Sequence, residues 1–197
     1  MKVAKFGGTS LADAGQIMKV FEIAKADPDR RIIVVSAPGK RSKEDIKVTD
    51  LLISCAQAML KNGRADEELG RVVARFADIQ KELGLPLHLL SEIEKDLRER
   101  LAGDRRHAAL FTDSIKAAGE DYSARFVAAA FTAKGLKAEY VSPRDAGMLL
   151  SDEPGNAQVL DEAYPKLATL RDRKGIVIVP GFVGYTKKGK VVTFPRG

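Results

Sequence analysis

An α/β fold, with a mostly parallel sheet sandwiched between helices, is predicted by three features of this 197-residue chain. Residues 2–36 run strand, Gly-Gly turn, helix, strand, and two strands joined through a helix lie parallel because the crossover returns the chain to the same end of the sheet. Arg31–Ser36 (RIIVVS) and Ile176–Pro180 (IVIVP) are unbroken runs rich in β-branched residues, the composition of strands buried on both faces. Residues 48–134 carry apolar side chains at helical spacing with few β-branched runs. With 45% of residues hydrophobic, the chain suffices for one domain with a sizeable core.

Lys2–Phe6 is a short strand that ends at Gly7-Gly8. Leu11–Ala26 reads as a helix, with Leu11, Ala14, Ile17, Met18, Phe21 and Ala24 on its apolar face and Ser10 placed to cap it. Asp27-Pro28-Asp29 breaks that helix, Arg31–Ser36 is the second strand, and Ala37-Pro38-Gly39 turns out of it. A helical insertion spans about 48–134. It comprises Val48–Leu60, Arg64–Leu83, Leu87–Leu101 and Ala108–Lys134, punctuated by Gly63, Gly84-Leu85-Pro86 and Gly103. Lys137–Val141 returns as a strand, Leu160–Arg173 as a helix stopped by Gly175, and Ile176–Pro180 as a buried strand. Tyr185–Thr193 reads as a hairpin turning at Lys188-Gly189. There is no internal repeat and no linker.

Composition narrows the function. The formal net charge of +6 favours anionic partners. The cations are scattered (Lys40, Arg41 and Lys43; Arg105 and Arg106; Arg171, Arg173 and Lys174; Lys187, Lys188 and Lys190), are not interleaved with aromatics, and Trp is absent. This argues for solvated surface charge and against nucleic acid. Cys55, the single cysteine, lies in an apolar helical pattern, which rules out an internal disulfide and suits a small buried hydrophobe in a reducing compartment. With neither a signal peptide nor an apolar run of membrane-spanning length, a cytoplasmic location without membrane association is expected. His88 and His107 have no metal-ligand spacing and read as surface residues; the acidic residues of the middle helices read as solvated faces.

Lys5-Phe6-Gly7-Gly8-Thr9-Ser10 joins a strand end to a helix start. Two glycines there let backbone N–H groups approach an anion, the helix N-terminus adds partial positive charge, and Lys5 adds a full one. The lysine precedes the glycines, so this is not a P-loop. The string points to phosphate binding over a plain tight turn.

KFGGTS near the N-terminus resembles the opening signature of the aspartokinases, members of the amino-acid kinase family. Further segments agree in order. Val34–Gly39 (VVSAPG) resembles the loop after the second strand, with Ser36 in the matching place. Val48–Leu52 (VTDLL) resembles the start of the next helix, with Thr49 matching a threonine that lines the aspartate site. Gly119-Glu120 with Ser123-Ala124 resembles the family's GE..SA motif. Val179–Gly197 resembles the PGF-G-T-G hairpin that leads into RGGSD, with Pro195 standing where glycine is usual. The similarity covers the whole chain. It implies a three-layer amino-acid kinase-like fold, present incompletely, because residues 1–197 match the N-terminal lobe of a catalytic domain and the sequence stops inside the RGGSD segment. The chain alone is therefore expected to be inactive.

The resemblance implies phosphoryl transfer from ATP to the side-chain carboxylate of L-aspartate, giving 4-phospho-L-aspartate, the first step toward lysine, threonine and methionine. A carboxylate with a pKa near 4 is already ionised and needs no general base, so catalysis reduces to positioning and positive charge. Lys5 is expected to act catalytically at the transferring phosphoryl, with Gly7, Gly8, Thr9, Ser10 and Ser36 about the phosphates and Mg²⁺ bridging them, no metal being held by protein side chains. Thr49, Glu120, Arg196 and Gly197 are expected about the aspartate. Glu120 would face its α-ammonium and Arg196 its α-carboxylate. A homo-oligomer is implied for the full-length protein. Two rivals stay open: a kinase of the same family acting on another carboxylate, and a non-catalytic ligand-binding or assembly fragment.

Overall fold

The computed structural model describes residues 1–195. Strand β1 (Lys2–Phe6) leads through a 3₁₀ turn (Gly8–Leu11) into helix α1 (Ala14–Lys25) and strand β2 (Arg30–Val35). Four helices follow: α2 (Val48–Asn62), α3 (Asp66–Leu83), α4 (Leu87–Leu101) and α5 (Ala108–Ala133). Then come β3 (Ala138–Tyr140), the short helix α6 (Ala163–Ala168) with a 3₁₀ turn (Thr169–Asp172), and β4 (Ile176–Pro180). The described chain closes with β5 (Val183–Tyr185) and β6 (Val191–Thr193).

The expected parallel sheet is present, in the order β1-β2-β4-β3 with every pairing parallel. Strand periodicity divides its two faces. Ile33 and Val35 of β2 and Ile178 of β4 pack with α1, α2 and α5, while Ile32, Val177 and Val179 pack with Val141, Ala146 and Leu170 on the other side. Both faces are thus covered, as the unbroken apolar runs require. Strands β5 and β6 pair antiparallel as a separate two-stranded sheet. Their turn is where the sequence puts it: Gly189, at φ 75°, donates to the Thr186 carbonyl at 2.8 Å.

Helix α5 is the central packing element. The Phe131 ring meets Phe21 of α1 edge to face at 5.4 Å, and Phe76 of α3 stands edge-on to Tyr122 and Phe126. The acidic residues of the middle helices, Glu120 apart, are accordingly not all solvated: on α5, Asp113 and Asp121 are buried too. A helix packed on several sides cannot reserve a wet stripe for its carboxylates, so they find donors instead. Asp121 accepts from Arg125 at 2.8 Å and from the Tyr140 hydroxyl. Asp113 accepts from the Gly155 and Thr193 amides at 2.7 and 2.8 Å and pairs with Lys116 at 2.7 Å. His88 and His107 are exposed and Cys55 is buried, as expected; burial pushes the Cys55 thiol up to about 12.

Two element assignments need correction. Ser10 does not cap α1. The helix starts later, at Ala14, because the Asp13 carboxylate accepts the Gln16 N–H at 2.8 Å, and residues 8–11 are held in the 3₁₀ turn that keeps Leu11 buried. Leu160–Arg173 is not one helix: it opens as a tight turn in which the Ala163 and Tyr164 N–H groups donate to the Leu160 and Asp161 carbonyls three residues back, at 2.9 and 3.2 Å, so α6 starts only at Ala163, and the segment tightens to 3₁₀ geometry after Ala168.

Candidate active site

Three neighbouring parallel strands end level with one another. Phe6 of β1 pairs with Val35 of β2, and Val35 with Pro180 of β4. The turns that follow, Gly7-Gly8, Ser36–Gly39 and Gly181-Phe182, therefore leave the same edge of the sheet. The carboxyl ends of parallel strands are where such sheets bind ligands.

The turns touch backbone to backbone. The Gly39 N–H donates to the Gly8 carbonyl at 2.8 Å, and a Cβ at Gly39 would lie 2.6 Å from the Gly8 carbonyl carbon. A Cβ at Gly8 would lie 2.9 Å from the Ala37 carbonyl oxygen. Only glycine allows this approach from both sides. The Ser36 N–H extends the sheet ladder to the Phe6 carbonyl at 3.1 Å, and the Val48 N–H donates to the Pro38 carbonyl at 3.0 Å, fixing the start of α2 to the turn.

A cavity of about 380 Å³ opens between these turns and the start of α2. Gly8, Thr9 and Ser36 line it from the strand ends, Thr49 from the first turn of α2 and Glu120 from α5. Ala37, Pro38, Gly39, Lys40, Lys47, Asp50 and Phe182 complete its wall.

Glu120 reaches the cavity because Gly119 precedes it. A Cβ at Gly119 would stand 2.8 Å from Leu52 Cδ1 and 3.0 Å from Ala37 Cβ, so the missing side chain is what lets α5 close on α2 and on the turn after β2. The Glu120 carboxylate accepts from the Phe182 N–H, with the Gly181 and Ala37 amides also directed at it. Burial pushes its pKa up to about 7, against the pull of these amides and of the Lys5 charge. Its proton is therefore exchangeable near neutral pH, and a cation entering the cavity would drive the carboxyl to its charged form.

Of the residues expected about a ligand, Gly8, Thr9, Ser36, Thr49 and Glu120 meet in this cavity. Lys5, Gly7 and Ser10 lie beside it without lining it. Lys5 is exposed on β1, near enough to Glu120 to act on its charge, and Ser10 sits in the 3₁₀ turn. Arg196 and Gly197 lie outside the described residues. The sequence reading missed Lys47, Asp50 and Phe182 and took Lys40 for plain surface charge. Lys40 is indeed exposed, but it also borders the cavity. Lys47 and Asp50 flank the singled-out Thr49, a proximity that could have drawn notice. Among the described residues no three His, Cys, Asp or Glu side chains gather as a metal cage, and no helix is long and apolar enough to cross a membrane.

The model of the amino acid kinase family matches residues 1–197. Aspartokinase 3 of Bacillus subtilis is 52% identical over 196 residues, covering 100% of this chain and 43% of that protein. The crystal structure of Escherichia coli aspartokinase III in complex with aspartate and ADP superposes with a TM-score of 0.81 at 29% identity, over 99% of this chain and 43% of that one. Aspartate kinase of Clostridium acetobutylicum gives a TM-score of 0.76 at 30% identity, over 99% of this chain and 41% of that one. The chain thus spans less than half the length of these relatives.

Proposed function

Because the chain belongs to the amino acid kinase family, we propose that it forms the aspartate-binding, phosphoryl-facing part of an aspartate kinase, a cytoplasmic enzyme that makes 4-phospho-L-aspartate for lysine, threonine and methionine synthesis. The observation that carries the reading is Glu120, a buried carboxylate in the wall of a cavity that backbone turns, the hydroxyls of Thr9, Ser36 and Thr49, Lys40, Lys47, Asp50 and Phe182 also border. A carboxylate so buried needs a cationic partner to stay charged. The α-ammonium of an amino acid supplies one, while its carboxylates suit the lysines and the hydroxyls of Ser36 and Thr49. The cocrystallised aspartate of the E. coli relative favours the same ligand.

The chemistry asked of these residues is modest. The attacking carboxylate oxygen forms a bond to the γ-phosphorus as the bond to the ADP oxygen breaks, and no proton needs removing. Lys5, Lys40 and Lys47 lower the repulsion between the acceptor and the phosphates, and the amides of the Gly7-Gly8 turn are available to the phosphate oxygens. The glycine approach and the surrounding cations fit the phosphate end of ATP. Mg²⁺ would enter on the phosphates, since no described cluster is built to hold it, and would neutralise charge there.

Calorimetric titration of L-aspartate, L-glutamate and succinate into the protein tests the reading. Aspartate is expected to bind at least tenfold more tightly than either analogue. Succinate binding as tightly as aspartate would remove the ammonium from recognition, and glutamate binding more tightly would transfer the proposal to another carboxylate acceptor.

A further inference from the structure

Behind the cavity lies a buried charged side chain of α3 that does not line it. Arg75, near the middle of α3, is 5% exposed. Its guanidinium bonds the backbone of three separate segments. Nη2 donates to the Ala12 carbonyl at 3.2 Å and the Gly39 carbonyl at 2.9 Å, and Nη1 donates to the Ile46 carbonyl at 2.8 Å. Nη1 also lies 2.9 Å from Asp45 Oδ2. Asp45 is fastened in turn by the Arg41 amide at 2.9 Å and Arg41 Nε at 3.0 Å, and Arg41 reaches Asp78 of α3 at 3.0 Å.

Stability alone does not explain a buried arginine, because well-packed apolar side chains often serve as well or better. What the planar fork supplies is geometry: five fixed donors can hold several carbonyls in one mutual arrangement, which an apolar side chain or a lysine cannot. The carbonyls it holds come from the segments that build the cavity. Ala12 follows the 3₁₀ turn that carries Gly8 and Thr9, Gly39 ends the turn that starts at Ser36, and Ile46 immediately precedes Lys47 and lies three residues ahead of Thr49.

We propose that Arg75 is a positioning residue of the candidate active site: from behind, and without touching a ligand, its guanidinium fixes the glycine turn after β1, the turn after β2 and the start of α2 relative to one another. The inference rests on the phosphoryl-transfer reading above, in which donor and acceptor approach through different members of this set and a displacement of about 1 Å is costly to the reaction.

Two backbone amides report directly on the arrangement. The Gly39 N–H spans to Gly8, and the Val48 N–H spans to Pro38. Hydrogen exchange followed by mass spectrometry is measured on the parent, Arg75→Lys and Asp45→Asn. Arg75→Lys keeps the charge but not the fork. It is expected to speed exchange at least tenfold at both reporters together, with α5 and β4 at parental rates. Asp45→Asn leaves the fork's carbonyl bonds in place, so its acceleration is confined to residues 41–46. Parental rates at Gly39 and Val48 in Arg75→Lys overturn the proposal. So does uniform acceleration that includes α5, the signature of a general stabilising role. In aspartate titrations Arg75→Lys is expected to weaken binding at least tenfold and Asp45→Asn less than threefold, and equal affinity in Arg75→Lys and parent counts against positioning. Absence of aspartate binding to the parent counts against the proposed function and leaves the exchange pattern to judge Arg75 independently.

Discussion

Burial works against the charge on Glu120, and that conflict has a measurable consequence in the ligand-free protein. Its carboxyl is raised from the 4.5 of a free side chain to about 7. Between those two pH values the folded chain holds more of this proton than the unfolded chain does, so the Glu120 contribution to stability falls as pH rises through the window and levels off above 7. Urea melts at pH 5.5 and 8 should therefore show a larger loss of stability on raising the pH in the parent than in Glu120→Gln; equal losses would mean burial does not control this group. Lys5 poses the opposite case. It is exposed on β1, so Lys5→Ala should change stability by no more than about 0.5 kcal/mol. If it meets a phosphate, the lost charged hydrogen bond is worth about 1.5–3 kcal/mol, and affinity for Mg-ATP should fall roughly tenfold or more. Matching losses in melting temperature with unchanged nucleotide affinity would assign Lys5 to the fold. At this scale the glycine turn and Glu120 were legible because short motifs carried them. Lys40, Lys47 and Phe182 were not, because what brings them to the cavity is tertiary: the turn after β2, the start of α2 and the end of β4 converge only once the sheet is assembled.

Two helix glycines that look alike in sequence should respond oppositely to alanine. Gly70, exposed on α3, has open space where a Cβ would stand, so Gly70→Ala should stabilise by up to about 1 kcal/mol through helix propensity. Gly119 lies where α5 meets Leu52 and Ala37, so Gly119→Ala should destabilise by about 1–3 kcal/mol and weaken aspartate binding by pushing Glu120 away. Thermal melts of the two variants decide this; stabilisation by Gly119→Ala would mean the close approach of α2 and α5 is not what holds Glu120 in place. The elements themselves were largely readable. Apolar periodicity and the glycines at 63 and 84, both with positive φ, delimit α2 and α3, and the β-branched runs mark β2 and β4. The misreadings arose where polar groups outcompeted apolar pattern. Asp13 captured the cap expected of Ser10, and the carbonyls of Leu160 and Asp161 took donors three residues on, a tight turn that delays the start of α6. Burial of Asp113 and Asp121 was hidden for a related reason, since their donors lie as far away as Thr193 and Tyr140.

At the scale of the whole molecule, the parallel order β1-β2-β4-β3 does the assembling. Level strand ends bring the two glycine turns and Phe182 to one edge, and α5, packed across the sheet, adds Glu120 from below. The net charge of +6 is spread over the surface, yet Lys5, Lys40 and Lys47 stand at or beside this edge, where an anionic substrate and a polyphosphate would meet. Under the proposed function, Glu120 receives the ammonium of aspartate. The direct measurement is calorimetric titration of L-aspartate into the parent and Glu120→Gln from pH 5.5 to 8, each in two buffers of different ionisation heat. Because the raised carboxyl must lose its proton to pair with the ammonium, parent affinity should rise about tenfold per pH unit up to about pH 7 and then level off, with proton release on binding below that point. Glu120→Gln should bind more weakly by about 2–5 kcal/mol, roughly thirty-fold to several-thousand-fold, with no such pH dependence. Aspartate affinity in Glu120→Gln equal to that of the parent across this range would contradict the account.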